Sequence, residues 1–209
     1  MQKSMSACCL HHTDKQKRQN CLNRLWLLIR AGLRQSSDLR IDTFHQWYTR
    51  MFMIEAVQRD DLSAVIHVIE QAIHQTLAVS KDEADSLVAG CVDEGLKSLL
   101  IPSGYIYLLY RHKQRVVGVV LLKPDNRLSC LFVDPAYHRQ GIASSLLQSA
   151  LIQRYKDDPA AVIRLNASTY AEPFYLHHGF QQNGEKKELP GGCIPFSAPI
   201  EQLIVNKCD

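Results

Sequence analysis

From Met53 onward the apolar residues keep regular periods, and those periods predict the secondary structure. A short strand at 54–57 precedes a helix whose apolar face carries Leu62, Val65, Ile66, Ile69, Ile73 and Leu77, with Asp60 and Asp61 suited to the positive end of its dipole. A second helix starts after Ser80, whose hydroxyl can cap the first turn while Glu83 reaches back to it, and it runs to near Leu100. Strands follow at 105–110, 116–123 and 128–133. Their links, 111–115 and 124–127, are too short for a crossover, which forces an antiparallel meander. A helix over 141–155 then buries Ile142, Leu146, Leu147, Ala150 and Leu151. A strand at 162–166, a short helix near 172–178 ending at Gly179 and a closing strand within 194–205 complete the pattern. The order β-α-α-β-β-β-α-β-α-β predicts an α/β (α+β) layer, a central mixed and mostly antiparallel sheet with helices on both faces.

Upstream the pattern changes. Residues 1–20 are polar and lack periodicity, so they read as disorder or loop. Between Cys21 and Arg34, Leu22, Leu25, Trp26, Ile29 and Leu33 recur at helical spacing and predict one amphipathic helix. The expected organisation is a basic, partly disordered extension over 1–52 and a folded domain over 53–209. Charge follows the same division: residues 1–52 hold nine Lys/Arg against three Asp/Glu, and residues 53–209 hold 15 against 18, beneath an overall +3. A mildly acidic domain suits a cationic amine better than a nucleic acid.

Hydrophobic residues at 46% and charged residues at 22% are ordinary for a globular protein. The longest apolar run near the N-terminus is 25–29, far short of the ~20 residues a membrane span needs. Seven cysteines in an odd set without C-x-x-C spacing read as reduced thiols in a cytoplasmic protein. Cys8, Cys9, His11 and His12 are nearly adjacent, whereas structural zinc ligands come as two separated pairs, so no metal is expected.

The chemistry is concentrated in Leu131-Phe-Val-Asp-Pro-Ala-Tyr-His-Arg-Gln-Gly-Ile-Ala143, an apolar strand, a proline, a tight basic loop and a helix start. Such a turn offers unpaired backbone N–H groups and the positive end of the helix dipole to a phosphate. Gly141 and the small Ala143 permit close approach. The stretch resembles the acyl-CoA-binding motif [Q/R]-x-x-G-x-[G/A] of the GNAT acetyltransferases. A second block, Asn166-Ala-Ser-Thr-Tyr-Ala-Glu-Pro-Phe-Tyr-Leu-His-His-Gly-Phe180, resembles that superfamily's closing pattern N-x-x-A-x-x-x-Y-x-x-x-G-F. The resemblance spans 53 to about 205. It departs at His138, where the loop motif has Arg or Gln, and at Ser168, where the second block has Asn.

The resemblance implies acetyl-CoA as cosubstrate and acetyl transfer to a primary amine of a small molecule or peptide, by direct attack in a ternary complex. It implies that Leu131, Phe132 and Val133 offer backbone hydrogen bonds to pantetheine and the thioester carbonyl. It further implies that His138, Arg139, Gln140, Gly141, Ile142 and Ala143 receive the pyrophosphate, and that Asn166 or Ser168 contacts the pantetheine arm. Tyr175 would protonate the departing thiolate. A lysine-like amine of pKa ~10.4 costs about 4.6 kcal/mol to present neutral at pH 7, so a base or a desolvating site is expected. The glutamate that many members carry on the fourth strand is missing among Arg127, Leu128, Ser129 and Cys130. Substitutes are Glu70, His67 and His74 along one flank of the first helix, with Asp134 reading equally as a cap of the loop; the base stays unassigned. Expected partners are the cosubstrate, the amine and a second copy of the chain in a homodimer, with no nucleic acid. The alternative is a non-catalytic acyl-CoA-binding sensor.

Overall fold

The apolar run Val116–Leu122 supplies the middle of the protein because it is buried from both sides. The computed structural model describes residues 53–205. The expected 22–33 helix, the Cys8–His12 cluster and the basic extension fall outside the described residues. Strands β1 (Ile54–Ala56), β2 (Ile106–His112), β3 (Arg115–Leu122) and β4 (Leu128–Val133) form one antiparallel sheet in that order. Side chains alternate along β2. Ile106, Leu108 and Tyr110 enter one core, and Tyr107 and Leu109 enter the other.

Helices α1 (Leu62–Thr76) and α2 (Lys81–Leu100) cover the second face, with Val65, Val68, Ile69 and Ile73 of α1 buried against Leu109, Val119 and Leu121. The start of α2 is the capping box read from sequence: Ser80 Oγ accepts the Glu83 N–H at 3.3 Å, and Glu83 accepts the Ser80 N–H at 2.8 Å. On the first face lies α3 (Ile142–Asp157), which buries Leu146, Leu147, Ala150 and Leu151. It packs closely because Gly118 of β3 lacks a side chain. A Cβ there would stand 2.9 Å from Leu146 Cδ1 and 3.1 Å from Ile142 Cγ2.

After α3 the chain forms β5 (Val162–Ala167), α4 (Glu172–His177), β6 (Gln181–Gln182), β7 (Ile194–Pro199) and α5 (Ile200–Val205). Two features depart from the sequence reading. The two-residue β6 was not anticipated, being too short to show a period. The closing strand stops at Pro199, because Ile200 and Leu203, three residues apart and both buried, continue as a helical turn with Glu201 and Gln202 exposed. Gln148 of α3 donates to the Leu203 carbonyl at 3.1 Å and ties that turn down.

The sheet also divides. β5, β7 and β6 form their own antiparallel ladder, and just before β4 a parallel bridge joins Arg127 to Arg164 of β5, with the Arg164 N–H donating to Asn126 O at 3.0 Å. A bulge interrupts the β3–β4 pairing: Leu121 pairs with Cys130 but Leu122 pairs with Leu128, leaving Ser129 as the extra residue.

Candidate active site

At the end of β4 the chain turns through Asp134, which is 5% exposed. Its carboxylate accepts the Ala136 N–H at 3.0 Å and pairs with Arg115 at 3.0 Å. Asp134 therefore holds the turn, the structural one of its two readings. The loop then passes through two left-handed residues, Arg139 at φ 62 and Gly141 at φ 75, before α3 begins. Such alternation turns successive N–H groups to one side. Ser145 is the first residue of α3 whose N–H finds an acceptor, Gly141 O at 3.0 Å. The N–H groups of Ile142, Ala143 and Ser144 have none among the described residues. Three aligned donors at the positive end of a sixteen-residue helix make an anion cradle.

This cradle opens into a cleft of about 640 Å³, walled by β4 on one side and by β5 and α4 on the other. Leu131, Phe132, Val133, His138, Arg139, Gly141, Ile142, Ala143, Asn166, Ser168 and Tyr175 all line it. Gln140 is exposed and does not. His138 bridges the walls, with Nε2 at 2.8 Å from Val133 O and Nδ1 at 3.2 Å from the Tyr170 hydroxyl. The carbonyl can only accept, so Nε2 donates to it and Nδ1 is left to meet the Tyr170 hydroxyl. Ser168 Oγ already accepts the Ala171 N–H at 3.2 Å, whereas the Asn166 amide makes no hydrogen bond among the described residues.

Tyr175 reaches the cleft from α4 and is 7% exposed. Phe174 and Phe180 meet its ring edge-on, with centroids at 5.3 and 5.5 Å. Burial pushes its hydroxyl well above the ordinary 10.0, and the nearby Cys130 adds to the shift. The phenol stays protonated through the neutral range.

The three helix-flank substitutes for a base lie elsewhere. Glu70, His67 and His74 do not line the cleft, His67 and His74 are exposed, and His74 pairs with Asp85 at 3.2 Å. Other groups stand on the wall unforeseen. His178, 6% exposed, places Nδ1 at 2.8 Å from Phe174 O and Nε2 at 3.0 Å from Ser144 Oγ. Nothing local in the sequence joins those partners, 34 residues apart. Cys91 of α2 also lines the cleft; its interaction with buried Cys130 pulls its thiol below the usual value and pushes Cys130 up.

Residues 78–193 match the family described as the acetyltransferase (GNAT) domain, more than half of the chain. Among solved structures, the fold is similar to that of PaiA N-acetyltransferase from Thermoplasma acidophilum in complex with coenzyme A. That pair has 19% identity, covers 70% of this chain and 97% of that one, and has a TM-score of 0.58. The Escherichia coli ribosomal-protein-S18-alanine N-acetyltransferase is similar at 19% identity, with coverage of 70% and 92% and a TM-score of 0.51. A SpeG spermidine N-acetyltransferase variant from Vibrio cholerae is similar at 15% identity, with coverage of 73% and 96% and a TM-score of 0.52.

Proposed function

Because the chain belongs to the GNAT acetyltransferase family, we propose that it transfers the acetyl group of acetyl-CoA to a primary amine by direct attack within a ternary complex. The observation that carries this reading is one continuous cleft containing an anion cradle at the start of α3, the splayed strand β4 and a buried phenol. In it the pyrophosphate rests on the amides of Ile142, Ala143 and Ser144, with Arg139 supplying charge beside them. His138 stands in the motif position of an Arg or Gln, and its hydrogen bonds to Val133 and Tyr170 give it the role of bracing the loop.

The pantetheine arm lies between β4 and β5, where the parted ladders leave backbone groups without strand partners. Leu131, Phe132 and Val133 provide that edge, and the free amide of Asn166 faces it; Ser168 is occupied with capping the turn. The amine nitrogen attacks the thioester carbonyl, and N–H groups of β4 stabilise the oxyanion that forms. As the C–S bond breaks, Tyr175 donates its hydroxyl hydrogen toward the departing sulfur, while the acylated nitrogen releases its extra proton to solvent, from which the phenol is restored. Burial favours the phenol over the phenolate, so a donated hydrogen bond is its main contribution and complete proton transfer comes late. Among the described residues that line it none is a carboxylate, and the apolar part of the wall lowers the ammonium's proton affinity by desolvation. Reduced Cys91 and Cys130 suit a cytoplasmic setting.

Calorimetry with acetyl-CoA followed by thiol release against an amine panel tests the reading. Heat of binding and amine-dependent release are expected. Binding without release for any amine would favour a cofactor sensor instead.

A further inference from the structure

Within the acetyltransferase reading, on which this rests, the cleft also limits which amine can enter. Among the described residues its ionisable lining consists of Arg139, the histidines His138, His177 and His178, several tyrosines and Cys91, and none is Asp or Glu. Of the carboxylates on neighbouring elements, Glu70 of α1 and Glu172 of α4 do not line it, and three others are paired elsewhere. Asp85 pairs with Lys81 and His74, Glu94 with Lys123 and Lys97, and Asp134 with Arg115.

The end of the cleft away from the α3 cradle is largely apolar: Ile73 of α1 and Leu77 just after it, Leu87 of α2, Leu128 of β4 and Pro190 of the β6–β7 loop, with Thr76 turned to its own helix, where its hydroxyl donates to Ala72 O at 2.7 Å, and Cys91 and Ser129 beside them. That loop is held on two sides. Gly191 lies against Leu77, where a Cβ would stand 3.2 Å from Leu77 Cδ1, and its carbonyl accepts the Thr169 N–H at 3.0 Å. Gly191 and Gly192 both sit at positive φ, which lets the loop fold down over the opening.

We infer that the acceptor is an α-amino group, or an amine of similar basicity, borne next to an apolar side chain, and not a polyamine or a lysine ε-amine. The chemistry of the wall gives two reasons. An ammonium entering a site without a carboxylate meets only neutral or positive partners, so it must arrive or become neutral by itself. At pH 7 about one in ten α-amino groups is neutral, against about one in 2,500 for an amine of pKa 10.4. A polyamine brings further positive charges that nothing on this wall offsets, while an apolar side chain gains contact with Ile73, Leu77 and Leu87. The folds similar to this one include enzymes named for an alanine and for spermidine, so the fold admits either kind of amine and the lining decides.

The test is kcat/KM at pH 7 by thiol release for four acceptors: the tripeptide Leu-Gly-Gly, leucinamide, an Nα-blocked lysine amide and spermidine. The leucine compounds are expected to exceed the other two by at least tenfold. Tripeptide above leucinamide assigns a peptide N-terminus, and the reverse order a small amine. In Leu87→Glu, spermidine is expected to improve at least tenfold relative to Leu-Gly-Gly, with the acetyl-CoA thermal shift unchanged. Equal rates for all four, or spermidine or the lysine amide turned over best by the wild type, would overturn the acceptor class while leaving the acetyltransferase reading intact. Absence of both acetyl-CoA binding and thiol release would overturn both.

Discussion

His178 Nε2 stands 3.0 Å from Ser144 Oγ, so the end of α4 is tied to the first turn of α3. The imidazole also contacts the Phe174 carbonyl at 2.8 Å and packs on the Phe174 ring, with centroids 4.1 Å apart. One buried side chain thus joins the phosphate cradle to the helix that carries Tyr175.

Replacing His178 with Ala should therefore cost about 1–3 kcal/mol of stability, the range for removing a buried hydrogen-bonding group, and should weaken acetyl-CoA binding. Ser144→Ala should cost less, about 1 kcal/mol. Thermal unfolding with and without acetyl-CoA measures both. A wild-type melting temperature in His178→Ala would show that the tie carries no stability.

Gly141 adopts φ 75 immediately before α3. Gly141→Val should cost about 1–2 kcal/mol through the left-handed conformation alone, and more through crowding of the cradle. The thermal shift produced by acetyl-CoA should disappear. A retained shift would move the phosphate site away from this loop.

Tyr175→Phe keeps the ring contacts and removes one hydroxyl. It should bind acetyl-CoA nearly normally and turn over at least tenfold more slowly, about 1.4 kcal/mol of barrier. Since burial raises the hydroxyl above 10.0, the wild-type rate profile should show no falling limb from Tyr175 below pH 10. Unchanged kcat under conditions where chemistry limits the rate would reduce Tyr175 to packing.

Stability should respond to alkali. Tyr175 and Tyr107 are both raised from 10.0, chiefly by burial, so their protonated forms are favoured in the folded state. That contribution is complete below pH 10 and is lost as pH rises from there toward the raised folded values, at about 1.4 kcal/mol per pH unit for each group. Denaturant titration of wild type and Tyr175→Phe between pH 9 and 11 should show a shallower decline in the variant.

Removal of residues 1–52 should leave a folded protein that binds acetyl-CoA, because the described residues from Met53 onward already make two apolar cores and line the cleft. Circular dichroism and calorimetry of the truncated chain check this, and an insoluble product would show that the extension completes a core.

Much of this protein was legible locally. The Ser80–Glu83 box, the meander with its short links and the α3 apolar stripe depend on neighbours within a few residues, which is the range over which periodicity and capping act. The proline, basic loop and Gly141 likewise announced a helix start, and the carried-over residues other than Gln140 line one cleft. What remained hidden depends on long-range packing. β6 takes its identity from β7, and α5 from the core beneath Ile200 and Leu203. The exclusion of Glu70, His67 and His74 from the cleft was decided by which flank of α1 meets the sheet, and the Ser144–His178 tie by the meeting of two helix ends. The largely apolar end of the cleft, without a carboxylate among the described residues, is a property of no single segment: α1, α2, β4 and the β6–β7 loop all contribute side chains, and only their convergence in space gives that wall its charge and polarity.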